Sequence, residues 1–350
     1  MKLYNLGKIP WHETQTIYHA LARSGREALS LVSPETPYVC IGFHQDAEQE
    51  VDMEFCRDRG IPVFRREVGG GAVYLDGDQL FFQLILKRKN PIVPRSKEAF
   101  YKKFLQPVIN TYRHIGIQAE YKPVNDVVAG NRKISGTGAA EIGDCIVFVG
   151  NLIVDFNYDM MSRVLRVPDE KFRDKVHKTL RENLSTIRRE LGPEEASKWD
   201  ESTLNKIMAD EFARVVGPME PAAKDRVLQE KMDSLEEEMN NDPWLYQTRR
   251  KGAGGREVKI SAGAQVLQRV HKARGGLIRA DLVVKEGKFQ KVYFSGDFFC
   301  FPEKGVEWLE RSLQGREVWA AGSVVERWYE EKGIETPGIQ VDDWMKILKV

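Results

Sequence analysis

Apolar positions along this chain follow two rhythms, one helical and one strand-like. Residues 11–24 place Ile17, Ala20 and Leu21 on one helical face. Residues 38–42 are a short apolar run ending in glycine, which predicts a strand. Residues 53–59 predict a short helix stopped by Gly60, with Cys56 packed against a sheet. Residues 61–64 and 80–86 are apolar, short and bounded by turn residues, which predicts two buried strands joined as a hairpin. Ser96 is a good N-cap for a helix over 97–114. Phe100, Phe104, Val108, Ile109 and Tyr112 recur there at helical spacing, Pro107 should kink it, and Gly116 ends it. Residues 117–121 and 126–128 predict strands. Gly130, Asn131 and Arg132 predict a hairpin turn into Lys133, and 146–156 a strand pair turned at Gly150 and Asn151.

Residues 160–191 are heavily charged and read as a solvated helical face. Residues 202–216 and 222–239 are amphipathic helices. The run Asn240, Asn241, Asp242, Pro243 is the best boundary in the chain. Beyond it the pattern changes to strands at 258–260, 266–270, 276–284 and 291–295, then helices at 306–313 and 324–332. Strand and helix mix without a regular βαβ repeat, so the expected class is α+β: a mixed sheet with helices packed on it. The expected division is a first unit at 1–192, a helical connector at 193–242 and a small α+β C-terminal domain at 243–350.

Composition narrows the function. Of 350 residues, 42% are hydrophobic and 30% charged, ordinary for a globular chain. The net charge of +1 argues against a dedicated nucleic-acid binder. The four cysteines show no Cys-x-x-Cys pair, so neither a disulfide framework nor a zinc site is expected and a reducing compartment fits. No apolar run approaches ~18 residues, and the first residues lack an apolar signal core, so the expectation is a cytoplasmic protein without membrane spans. His12 and His19 read as surface or packing residues, and His44 with Gln45, on their own, as a solvated loop.

The candidate chemistry lies in two stretches. Gly69, Gly70 and Gly71 lack Cβ atoms, so a ligand can approach their backbone, and successive bare N–H groups can form an anion-binding concavity. Arg65 and Arg66 precede them with planar, charged forks suited to carboxylate or phosphate, Arg65 being the weaker candidate. Further on come Asn125 and Asp126, then Arg132, Lys133, Ile134, Ser135 and Gly136.

In this order, Arg-Arg-x-x-Gly-Gly-Gly-Ala-Val-Tyr, Asn-Asp and Arg-Lys-Ile-Ser-Gly resemble the lipoate–protein ligase family. The resemblance extends through Ile41 to Gln45, Glu50, Asn151 to Asp155 and Val164 to Pro168. It covers about the first 190 residues well and the last hundred more loosely. There, Gly296, Asp297, Phe298 and Phe299 resemble a motif in the small C-terminal domain of the larger members. The resemblance implies the biotin/lipoate ligase fold. It also implies a reaction in which lipoate or octanoate is activated by ATP with Mg²⁺ to acyl-AMP. The acyl group then passes to a lysine of a lipoyl carrier domain. That partner is a 2-oxoacid dehydrogenase acyltransferase subunit, a glycine cleavage carrier protein or a relative.

By the same resemblance Lys133 is the catalytic residue. Its hairpin aims an ammonium at the meeting point of carboxylate and α-phosphate, where a fixed cation contributes about 3–4 kcal/mol. Arg66 holds the carboxylate or phosphate. Gly69, Gly70, Gly71 and Ala72 let the adenylate lie on bare backbone. Asn125 and Asp126 meet the nucleotide, with Asp126 on its Mg²⁺. Ser135, Gly136, Thr137, Gly138 and Ala139 form a small polar wall. Val73, Tyr74, Leu75 and Ile134 contribute an apolar slot, and Gln79 and Asn151 complete the binding set. Val68 stands where the family has Ser or Thr, Leu75 where it has His, Gln79 near a common Asn, and Val149 with Gly150 where a His-Gly pair is usual. These departures touch the acyl pocket and leave the identity of the acid and the rate open.

Three rival readings fit the sequence. One is an ATP-independent octanoyl or lipoyl transferase using a cysteine thioester, though Asn125 stands near where such relatives place cysteine and Cys145 has no histidine partner. The second is a non-catalytic nucleotide or lipoate sensor. The third is a biotin ligase, whose Gly-Arg-Gly-Arg loop is absent. Arg249, Arg250, Lys251, His271, Lys272 and Arg274 can steer an acidic carrier, and a plain solvated surface explains them nearly as well. The glycine-rich stretch at 251–256 reads as a mobile loop. Family resemblance also implies that the C-terminal domain moves between the half-reactions. A monomer is the default.

Overall fold

The computed structural model of the chain describes residues 1–248 and 264–349. The predicted strand at 258–260, the glycine-rich loop at 251–256 and the basic residues Arg249, Arg250 and Lys251 lie outside these residues.

Among the described residues the largest sheet has six strands. Their order is Thr137–Ile142, Cys145–Ile153, Gln79–Lys87, Ala28–Pro34, Lys2–Ile9 and Glu220–Pro221. Lys2–Ile9 runs parallel to both its neighbours, and the other pairs are antiparallel. Ala28–Pro34 and nearly all of Gln79–Lys87 are buried, which accounts for their almost continuous apolar sequence. The helix Trp11–Arg23 covers these central strands with Ile17, Ala20 and Leu21, as expected. The helix Lys97–His114 starts where Ser96 accepts the N–H of Ala99, and it buries its predicted aromatic stripe. Glu201–Val216 packs on that helix and Arg226–Met239 on Trp11–Arg23, so Leu204, Phe212, Leu228 and Leu235 join the same core.

Two readings of the strands are corrected. Residues 61–64 and 80–86 do not pair as a hairpin. Val63–Arg65 lies parallel to Tyr38–Ile41, whose other neighbour is the antiparallel strand Val73–Leu75, whereas Gln79–Lys87 belongs to the large sheet. The triple glycine is therefore a crossover loop between two strands of a small sheet. Residues 146–156 are not a turned pair either. Cys145–Ile153 is one strand, with Gly150 opposite Thr137 on one side and Phe82 on the other. The Phe82 ring fills the place of the missing Cβ: one built on Gly150 would sit 2.4 Å from Phe82 Cζ. The hairpin before Lys133 forms as predicted, from Asp126–Ala129 to Arg132–Ser135.

A separate C-terminal sheet, Ala264–Ala273, Gly276–Lys285 and Lys288–Gly296, carries its own core with the helices Gly305–Leu313, Ala321–Lys332 and Val341–Leu348. The last helix escaped the sequence reading. Its Trp344 is wholly buried, edge-on to Phe294, Phe298 and Trp328. The loop after this sheet crosses to the first core, which takes in Phe299 and Phe301.

Candidate functional site

The Val63–Arg65 strand delivers two adjacent arginines to opposite tasks. Arg65 is wholly buried, and its guanidinium donates to the carbonyls of Gly42, Phe43, Trp244 and Leu245. It ties loops together and does not reach the cavity, which removes it as an anion ligand. Burial lowers its pKa to about 10, still cationic at neutral pH. Arg66 does reach the cavity. It donates to the carbonyls of Cys40, Gly69 and Gly71 at 3.2, 2.8 and 2.9 Å, so it braces the glycine loop from within. Gly70 needs its freedom, with φ +92°. Gly42 backs the loop: a Cβ there would meet Gly70 O at 1.9 Å.

The facing wall comes from the hairpin. Lys133 Nζ lies 2.5 Å from Asp126 Oδ1, and both side chains are about one third exposed. Asn125 and Thr137 are locked by two reciprocal side-chain bonds to each other's carbonyls. Gly136 N–H donates to Asn151 Oδ1 at 2.9 Å, and Asn151 Nδ2 donates to Gln79 Oε1 at 2.8 Å. A Cβ on Gly136 would stand 3.8 Å from Lys133 Cε and 3.6 Å from Asn151 Oδ1, so the Gly136 backbone, Asn151 and the Lys133 side chain lie together.

These two walls and the C-terminal loop enclose a cavity of about 440 Å³. Of the sequence-derived set, Arg66, Gly69, Gly70, Gly71, Ala72, Val73, Asn125, Asp126, Lys133, Gly136, Thr137, Gly138 and Asn151 line it, as does Leu75 of the apolar slot. Tyr74, Gln79, Ser135, Ala139 and Ile134 do not. Gln79 and Ser135 stand behind, holding Asn151 through Oε1 and through Oγ to its carbonyl at 2.6 Å. Tyr74 turns to the other face and packs in a small cluster with Met161. Ala139 and Ile134 are buried in the core.

The C-terminal sheet supplies the residues that sequence reasoning left out of the site: Lys272, Arg274, Gly275, Gly276, Asp297 and Phe299. The sequence offers Lys272 and Arg274 as carrier-steering charges or as a plain solvated surface, and the fold places both on the cavity wall. The signal for Phe299 was the motif at 296–299. Phe298 O accepts from Gly70 N–H at 3.4 Å, and Phe299 packs between Gly69, Gly70 and Gly138. The bare backbone of Gly69 and Gly70 therefore meets this loop, while Gly71 and Gly136 are less crowded, with neighbours no nearer than 3.8 and 3.6 Å to the place of a Cβ. His44 corrects the solvated-loop reading. It is buried, stacks on Phe298 at 4.9 Å, and is held far below the usual histidine range, at about 3, by burial and by Arg65. It anchors the C-terminal loop as a neutral ring. At the closed end lie Gln15, Tyr18, Cys40 and Gln83, also unforeseen. Their signal was polar residues on the inward face of a helix and within an apolar strand. Burial pushes the Cys40 thiol up, so it is neutral.

Among the described residues, no group of three or more His, Cys, Asp or Glu is placed to hold a metal. A Mg²⁺ carried on nucleotide phosphates takes only one or two protein carboxylates, and Asp126 on the cavity wall fits that need. No described helix is long and apolar enough to cross a membrane.

A lipoyl protein ligase A/B catalytic domain model matches residues 9–213, more than half of the chain. A curated relative, lipoate-protein ligase A subunit 1 of Thermoplasma acidophilum, is 34% identical over 159 residues, 43% of this chain and 59% of that protein. The match thus spans less than two thirds of that relative's length. Lipoate-protein ligase LplJ of Bacillus subtilis is 28% identical over 282 residues, 80% of this chain and 78% of that protein. Among solved structures, P. falciparum LipL1 in complex with lipoate superposes with a TM-score of 0.67 at 15% identity, covering 95% of each chain. That likeness extends to the C-terminal sheet and shows the fold.

Proposed function

The chain belongs to the lipoyl protein ligase A/B family, an enzyme of the lipoate ligase and transferase kind, and from that premise we propose that it is an ATP-dependent lipoate–protein ligase. The observation that carries this reading is one cavity in which Lys133, Asp126 and Asn125 face the Arg66-braced triple glycine. Lipoate or octanoate places its carboxylate by Lys133, with its chain along Val73, Leu75 and Phe81. A carboxylate oxygen bonds to the α-phosphorus of ATP, and pyrophosphate leaves. Charge gathers on the phosphoryl oxygens, where the fixed ammonium of Lys133 stabilises it most. Asp126 would hold the Mg²⁺ of the nucleotide, which neutralises phosphate charge. The amine of a lysine on a lipoyl carrier domain then attacks the acyl carbon, and AMP leaves. No protein nucleophile takes part.

Octanoyltransferase LipM of Kyrpidia tusciae is also similar, 24% identical over 240 residues, and against a thioester rival stands the placing of the cysteines. Cys145 is buried away from the cavity, and Cys40, which lines it, is a buried thiol whose pKa burial raises. Exchange of labelled pyrophosphate into ATP, measured with lipoate, octanoate and biotin in turn, tests the reading. Exchange that requires lipoate or octanoate is the expected result. ATP-independent transfer abolished by Cys40→Ala, exchange with biotin alone, or nucleotide binding without turnover would each overturn it.

A further inference from the structure

The closed end of the cavity is polar, which is unusual for a slot meant to hold a hydrocarbon tail. Gln15 and Gln83 are at most 5% exposed, and Tyr18 is 1% exposed. Gln83 Nε2 donates to Thr14 O at 2.6 Å, and that contact fixes the orientation of the amide, because an oxygen so close to a carbonyl would be repelled. Its Oε1 is left buried and without a partner among the described residues. Ser30 Oγ, opposite Gln83 on the adjacent strand, is likewise buried without a partner among the described residues, whereas the groups on the helix side are already committed. Thr14 Oγ1 donates to Trp11 O, so Tyr38 OH donates to Thr14 Oγ1. Gln15 Nε2 donates to Tyr38 OH, and Tyr18 OH donates to Gln15 Oε1. The hydroxyl protons of Thr14, Tyr38 and Tyr18 are thus spent before they can reach Gln83 Oε1.

The register shows which end of a substrate arrives there. Phe81 pairs with Asn151, beside Lys133, and Gln83 pairs with Val149, two residues or about 7 Å deeper along the same face. An acid whose carboxylate sits by Lys133 and Asn151 therefore runs its tail past Phe81 and Val149 toward Gln83. A buried acceptor without a donor costs free energy, and native structures rarely leave one so.

We propose that, among the acids this site accepts, it prefers one that ends in a hydrogen-bond donor, a hydroxyl, an N–H or a thiol, which Gln83 Oε1 accepts at the closed end of the slot. This rests on the ligase reading for the orientation of the acid. Among acids of the lipoate kind, the reduced dithiol offers S–H where the disulfide ring offers none.

Binding of octanoate and 8-hydroxyoctanoate to the full chain, measured by calorimetry, tests it with one atom's difference. The hydroxy acid should bind about 5- to 100-fold more tightly, and Gln83→Leu should bring the ratio close to one. Lipoate against dihydrolipoate, and biotin, tell thiol and N–H donors from the hydroxyl. Equal affinities in the wild-type chain, the sign that ordered water or the Ser30 hydroxyl already satisfies Gln83, would overturn the proposal, as would a ratio that survives Gln83→Leu. Should that variant fail to fold, the wild-type pair of acids decides alone. Pyrophosphate exchange run alongside separates the two readings. Exchange without hydroxyl preference leaves the ligase and removes the tail specificity, whereas hydroxyl preference without exchange does the reverse.

Discussion

Single residues carried most of what the sequence could say about chemistry. Lys133, Asp126 and the three glycines were legible because each has a property that survives any fold: a fixed charge, or the absence of a side chain. Arg65 and Arg66 were not separable in sequence, since both are guanidinium groups one residue apart. Strand alternation decides between them, sending Arg65 into the protein and Arg66 to the cavity. His44 was misjudged because its partner, Phe298, is distant in sequence. The glycine reading has a direct consequence. At Gly70, φ is +92° and a Cβ would stand 3.2 Å from both Arg66 Nη2 and Phe299 Cζ. Gly70→Ala should cost about 1–2 kcal/mol from the backbone conformation alone, seen as a lower melting temperature, and should slow pyrophosphate exchange. An unchanged melting temperature would mean that the loop is not held as described.

At the level of elements, periodicity located the helices well, and Lys97–His114 matches its predicted bounds because its cap and stop residues are local. Pairing was not legible. Gly150 and Asn151 look like a turn, yet Gly150 is mid-strand because the Phe82 ring needs its missing side chain. The partner that makes the glycine necessary lies on another strand, so no window of sequence contains the reason. Gly150→Ala should then destabilise the chain by about 1–3 kcal/mol through overpacking, measured by denaturant unfolding. Loss should spread to Asn151, which Gly150 precedes on the strand and which bonds Gly136. A neutral substitution would favour the turn over the strand.

The whole molecule brings the C-terminal sheet onto the large sheet, a relation whose one trace in the sequence is the motif at 296–299. Contacts across this junction include Gly296 N–H to His44 O at 3.0 Å, the Arg279–Glu50 ion pair, and Glu141 N–H to Glu303 Oε1 at 2.7 Å. Burial, reinforced by the charges of Glu141 and Glu67, lifts the Glu303 carboxyl from 4.5 to about 8. The folded chain keeps this proton where the unfolded chain has lost it. Its contribution is therefore full below about 4.5 and lost as pH rises through about 8. Glu310, lifted to about 7, acts in the same direction. Stability should fall between about pH 5 and pH 8, by an amount on the order of a few kcal/mol, and Glu303→Gln should flatten the slope of melting temperature against pH. An identical slope in the variant would place that dependence elsewhere.

The molecule as proposed turns on where the acyl-adenylate forms. The most direct measurement is single-turnover formation of acyl-AMP by wild type and Lys133→Ala, each checked for an intact melting curve. A drop of about 10²–10³-fold in the variant, with the fold retained, is the expected result. Acyl-AMP formation at the wild-type rate without that ammonium would contradict it.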